Sequence, residues 1–197
     1  MGLYPPPLSM KDKRKLDESL RSCCRAVDFA EALNCQRIIF SPLFFWEKKD
    51  YPFEDLAKAL RTLVEYIGDR DVILCLENHY GWPLSDAEDY RRLFALIDTH
   101  KIAITADTGH FLPAGVDVNA FLAEFRHKVR HIHIKDQDGT DGRRLGEGAV
   151  NFDRVLAQLK AIKYKGFLTI ELETGENGKG PEQDFRDAVT YLQRKLG

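Results

Sequence analysis

Four apolar runs in this chain break off at a carboxylate or an imidazole, and that repeat limits the available folds more than any other feature. Val72 to His79 reads V-I-L-C-L-E-N-H, Ile102 to His110 reads I-A-I-T-A-D-T-G-H, and Phe167 to Glu173 reads F-L-T-I-E-L-E. The fourth is Arg130 to Asp136, R-H-I-H-I-K-D. Successive side chains on a strand point to opposite faces, so His131 and His133 share one face and Ile132 and Ile134 the other. Strands apolar on both faces are buried on both, the pattern of a parallel sheet covered by helices. Each strand then delivers its polar chemistry at its carboxyl end.

The segments between these runs read as helices. From Ser9 to Leu33, Leu16, Leu20, Cys23, Val27, Ala30 and Leu33 recur at steps of three and four with charged residues between them. Phe53 to Ile67 repeats the pattern and stops at Gly68. Ser85 and Glu88 have capping-box spacing, which predicts a helix from just after Pro83 to about Asp98. Further helices are expected over Val118 to Arg126, Phe152 to Ile162, and from Pro181 to the C-terminus. Arg37 to Phe40 adds a short buried strand, and Leu43 to Trp46 forms an aromatic loop after it. Met1 to Leu8, with three consecutive prolines, reads as an extended lead-in.

Five strands thus alternate with six helices in one domain over residues 1–197. An open doubly wound sheet and a (β/α)8 barrel both fit that alternation. The barrel is favoured, because its active sites draw residues from the C-terminal ends of several strands. A nucleotide-binding sheet would want G-x-G-x-x-G after its first strand, and the chain has none there.

Composition narrows the partners. With 29 basic and 31 acidic residues the net charge is -2, which gives no basic field of the kind that marks nucleic-acid or membrane-surface binders. No apolar run approaches the roughly 20 residues of a membrane span, and a cytoplasmic location is expected. Cys23, Cys24, Cys35 and Cys75 lack C-x-x-C spacing and read as reduced, mostly buried thiols.

If the strands lie side by side, Glu77, Asp107, His133 and Glu171 converge on one mouth. Three carboxylates and one imidazole suit one divalent ion: Mn²⁺, Mg²⁺, Co²⁺ or Zn²⁺. Each residue also has a plainer reading. Asp107 could cap the turn through Thr108 and Gly109, His131 could make a structural hydrogen bond, and Glu173 would stand at the rim. Lys135 and Asp136 would pair with neighbours, Asn78 would pack behind the sheet, and Phe44, Phe45 and Trp46 could serve core, interface or substrate wall.

Taken in order, L-E-N-H, A-D-T-G-H, H-I-H-I-K-D, the loop Arg144-Leu145-Gly146-Glu147-Gly148 and G-F-L-T-I-E resemble the successive motifs of the xylose-isomerase-like TIM-barrel family of sugar phosphate isomerases and epimerases. The resemblance implies a metal held by Glu77, Asp107, His133 and Glu171. It also implies that Glu77 and Glu171 act as the acid/base pair, passing a proton through a cis-enediolate. His110, Arg144 or its neighbour Arg143 and, in the same loop, Glu147 would contact the substrate. A keto-polyol dehydratase on the same site is the alternative, and a truncated metal-binding relative without turnover is another. Endonuclease IV shares the family fold, but Gln137 to Gly148 holds no histidine for extra zinc ligands and the net charge is not that of a DNA binder.

A complete barrel takes roughly 250 residues and eight strands. The chain is therefore expected to be an incomplete barrel that begins on a helix and lacks N-terminal βα units. An open arc leaves unpaired edge groups, so a homo-oligomer burying the edge near residues 36–46 is expected.

Overall fold

A computed structural model describes residues 2–3, 8, 12–41 and 52–197. The aromatic loop of Phe44, Phe45 and Trp46 lies outside the described residues. Two compact units divide the chain, Met1–Thr105 and Ala106–Gly197.

The first unit opens on β1 (Gly2–Leu3), which pairs in parallel with β2 (Arg37–Phe40) through Gly2 opposite Ile39 and Leu3 opposite Phe40. The first element is therefore a strand, and the edge expected at residues 36–46 is in part already paired. Two residues carry no periodicity, so β1 was invisible in the sequence. Between the two strands lies α1 (Lys13–Ala32), which starts where Asp12 accepts hydrogen bonds from the amides of Arg14 and Lys15, later than the Ser9 expected.

Next come α2 (Phe53–Ile67), β3 (Ile73–Glu77), α3 (Ala87–Leu96) and β4 (Ile102–Asp107). Strand β2 pairs in parallel with β3, and β3 with β4, in a register that sets Glu77 opposite Thr105. One face of α2 buries Leu56, Leu60, Leu63 and Ile67, and the helix ends at Gly68 in a positive-φ conformation that a side chain would resist. A fully buried leucine of this kind contributes roughly 1.5–3 kcal/mol. On α3 the cap falls one residue later than the spacing suggested. Asp86 accepts from the Asp89 amide, and the Asp89 carboxylate accepts in return from the Ser85 amide. The capping-box logic holds, with aspartates in both roles.

In the second unit Asp107 starts the one-turn helix α4 (Thr108–Phe111), followed by α5 (Val118–Glu124) and β5 (Val129–Ile134). A hairpin of β6 (Asp136–Asp138) and β7 (Asp141–Arg143) precedes α6 (Phe152–Ala161), β8 (Leu168–Ile170), a 3-10 turn (Gly175–Asn177) and α7 (Pro181–Leu196). Strand β5 pairs in parallel with β8, His133 opposite Thr169. The strand order β1-β2-β3-β4-β5-β8 is all parallel where registers are defined, with helices as crossovers. That is the α/β arrangement of an incomplete (β/α)8 barrel, with six strands in the parallel sheet among the described residues. No helix of the described residues is long and apolar enough to cross a membrane.

Candidate metal centre

The A-D-T-G-H stretch assigns a separate task to each of its last four residues. Asp107 is fully buried, and its Oδ1 accepts from the amides of Gly109 at 2.8 Å and His110 at 3.2 Å, capping α4. Its Oδ2 lies 3.8 Å from His133 Nδ1 and 3.7 Å from His110 Nε2. The capping reading of Asp107 therefore holds on Oδ1, while Oδ2 faces the two imidazoles. Thr108 clasps the next strand: its hydroxyl donates to the Lys135 carbonyl at 2.7 Å and accepts from the Lys135 amide at 2.9 Å. At Gly109 a Cβ would stand 2.8 Å from Lys135 Cγ, so only glycine lets α4 approach β5 this closely.

His133 is 4% exposed and sets Nδ1 2.6 Å from Glu171 Oε2. The Glu171 amide donates to the Ile134 carbonyl at 3.1 Å, extending the β5–β8 register and fixing the glutamate beside the histidine. Burial alone would raise the Glu171 carboxyl. The hydrogen bond from His133 and the charges of His133, Lys135 and His110 outweigh it and lower the pKa to about 2. Glu171 is thus an anion across ordinary pH. His131, also buried, packs its ring edge-on to His133 at 5.1 Å between centroids.

Lys135, expected only to pair with neighbours, is buried among the candidate ligands. Its ammonium approaches Glu173 Oε2 at 2.5 Å, His110 Nε2 at 3.4 Å, Glu171 Oε1 at 3.5 Å and Asp107 Oδ2 at 4.0 Å. Burial pulls its pKa down, and the negative charges of Asp107, Glu173 and Glu171 more than reverse that. The signal was present, because strict alternation puts Lys135 on the same face as His131 and His133. Glu173, expected at the rim, is exposed and serves as this lysine's partner.

Glu77 ends β3 in the first unit. It is 7% exposed, and its Oε2 accepts from the Ser41 hydroxyl at 2.9 Å, a contact that no local pattern foretells. Asn78 is fully buried. Arg144 and Glu147, the other substrate contacts expected, pair with each other, and Arg144 Nη1 also reaches Asp187 of α7 at 3.3 Å. Their loop hangs on Asp136, whose buried carboxylate accepts from the amides of Gly146, Gly148 and Val150 at 2.8, 3.0 and 3.1 Å. At Gly148 a Cβ would collide with Asp136 Oδ1. Asp136 is therefore the organiser of the G-E-G loop and not a residue that merely pairs with a neighbour.

Residues 1–195 match the family described as xylose isomerase-like TIM barrel. The chain belongs to this family. It is 25% identical over 202 residues to an inosose dehydratase of Mesomycoplasma hyopneumoniae (strain 7448), a match that takes in 84% of this chain and 66% of that protein. The chain thus spans just under two thirds of the relative's length. A solved L-ribulose 3-epimerase superposes with a TM-score of 0.85 at 18% identity, covering 99% of this chain and 73% of its own. The IolI protein with a bound zinc atom gives 0.79 at 17% identity, over 96% and 73% respectively. At these identities the structural likeness shows the fold.

Proposed function

We propose that this chain acts as a divalent-metal-dependent isomerase or epimerase of a sugar or sugar-like polyol. The observation that carries the reading is the donor group itself. In the second unit His133 Nδ1 lies 2.6 Å from Glu171 Oε2 and 3.8 Å from Asp107 Oδ2, and Glu77, which ends β3, is the fourth ligand that the family resemblance implies. Three carboxylates with one imidazole form an oxygen-rich set that fits a hard or borderline divalent ion such as Mn²⁺, Mg²⁺, Co²⁺ or Zn²⁺. Such an ion, when bound, supplies positive charge where a substrate carbonyl develops negative charge. A neighbour solved with zinc supports a divalent metal without fixing which.

The chain's own groups account for the rest. Glu77 and Glu171 carry the proton between substrate carbon and carboxylate oxygen. His110 Nε2, next to Asp107, is placed to hold a substrate oxygen. Arg144 and Glu147 would bind the far end of the substrate on opening their mutual ion pair. A carboxylate acting as positioned base or acid accelerates such a step by about 10²–10⁴-fold.

Dehydration of a keto-polyol is the second reading, favoured by the curated relatives that carry the name inosose dehydratase. It uses the same base, with hydroxide leaving from the neighbouring carbon. Incubating the metal-loaded protein with candidate ketoses in D₂O separates the two. Deuterium in recovered sugar of unchanged formula supports isomerisation or epimerisation, and a product lighter by one water supports dehydration. If no ketose or inosose gains deuterium or loses water, the enzymatic reading falls and a binding protein without turnover replaces it.

We also propose that the protein works as a cytoplasmic homo-oligomer. The sheet order ends at β8, where Phe167 and, on α7, Phe185 are exposed. Parallel edges with apolar flanks are a liability unless covered. Light scattering is expected to give at least twice the chain mass, and a monomer at micromolar concentration would refute the assembly.

A further inference from the structure

Lys135 carries a charged group at 1% exposure, and a buried ammonium persists only when it is paired. It is held at both ends. The Thr108 hydroxyl fixes its backbone through two hydrogen bonds, and Glu173 takes its Nζ at 2.5 Å. The two oxygens of Glu171 meet different neighbours, Oε1 facing Lys135 Nζ at 3.5 Å and Oε2 facing His133 Nδ1 at 2.6 Å. A carboxylate with a different partner on each oxygen cannot rotate freely.

We propose that Lys135, anchored by Glu173, is a positioning residue that holds Glu171 with Oε1 turned to the ammonium and Oε2 turned to the metal position beside His133. This rests on the metal site proposed above and deepens it. Glu173 becomes the outer member of a chain that runs from the surface through Lys135 to a ligand. Groups that orient ligands in this way typically govern metal affinity by about 10–100-fold.

The test is Mn²⁺ titration, with free ion read by electron paramagnetic resonance, on wild type, Lys135→Met, Glu173→Gln and the double variant. Leu122→Ala, a cavity in the fully buried part of α5, serves as a control for general destabilisation. The dissociation constant is expected to rise about 10–100-fold in Lys135→Met and at least about threefold in Glu173→Gln. The double variant should equal Lys135→Met, since the two residues act through one contact. A constant within about twofold of wild type in Lys135→Met, or an equal rise in Leu122→Ala, overturns the proposal. Should Lys135→Met fail to fold, Glu173→Gln decides, and an unchanged constant there overturns it. Wild type that binds no Mn²⁺ would instead refute the metal site itself.

Discussion

Replacing His133 by alanine is expected to abolish stoichiometric metal binding and leave the fold in place. Wild type supplied with Mn²⁺, Co²⁺ or Zn²⁺ and then desalted should carry about one ion per chain by mass spectrometry, and His133→Ala less than about a tenth of that. The imidazole is the one nitrogen donor of the four, and it stands between Glu171 Oε2 at 2.6 Å and Asp107 Oδ2 at 3.8 Å. Its removal leaves a mainly carboxylate pocket with a gap where the borderline-soft ligand stood. Loss of a direct ligand should exceed the 10–100-fold typical of outer partners, so a rise of about 1000-fold in the dissociation constant is expected. Folding should survive, because β5 is secured by Val129, Ile132 and Ile134, all buried. Equal metal content in the two proteins would remove His133 from the site.

Glu171→Gln is expected to separate binding from chemistry. Glutamine keeps the shape of glutamate and one oxygen donor but cannot accept a proton from carbon. Solvent deuterium incorporation into the ketose should therefore fall about 10²–10⁴-fold, the usual contribution of a positioned base. Metal affinity should fall less than in His133→Ala. Exchange within about threefold of wild type would assign the proton transfer to another group, with Glu77 the remaining carboxylate. The low pKa of about 2 has a consequence for pH dependence: a group so acidic stays ionised at all but strongly acidic pH. The metal-free protein draws stability from this ionisation above the ordinary carboxylate pKa of about 4.3, and loses it as pH falls toward 2.

How far the sequence carried the fold depends on where each element gets its stability. Strands β3 and β4 were legible because two-sided burial writes an apolar run that ends in a sudden acid. Strand β5 was legible through its alternation of histidine and isoleucine, and β8 through the acid after Ile170. The burial expected for β8 is not found, since Thr169 is exposed and Leu168 and Ile170 are half-buried. Helices α2 and α7 were legible at their starts and stops through Phe53, Gly68 and Pro181. The β6–β7 hairpin was not. D-Q-D-G-T-D-G-R has no alternation, and its contacts are tertiary: Asn177 Nδ2 donates to the Gly142 carbonyl at 3.3 Å, and a Cβ on Gly142 would collide with the Glu173 carbonyl. Strand β1 depends on pairing with β2 for its existence.

At the site, the four candidate ligands could be read from their strand-end positions. The groups that orient them could not, with one exception. Ser41 reaches Glu77 across 36 residues of sequence, and nothing local marks it. Lys135 was readable from alternation alone, yet lysine at a strand end is so often solvated that its burial had to be seen. Arg144 and Glu147 were readable as a loop motif, whereas their mutual pairing follows from the turn that Asp136 imposes.

The division of labour within Asp107 bears on which ions the site would accept. A carboxylate that must first be ordered by its metal spends rotamer entropy on capture and can adapt its bite to ions of different radius. Asp107 is ordered when α4 forms, since Oδ1 is engaged by two amides of that helix. The entropy is charged to folding, and Oδ2 waits in a fixed direction. Selectivity between small and large divalent ions depends on ligand number and on how far the cage can relax. A donor locked into a helix start favours discrimination by size over breadth of binding.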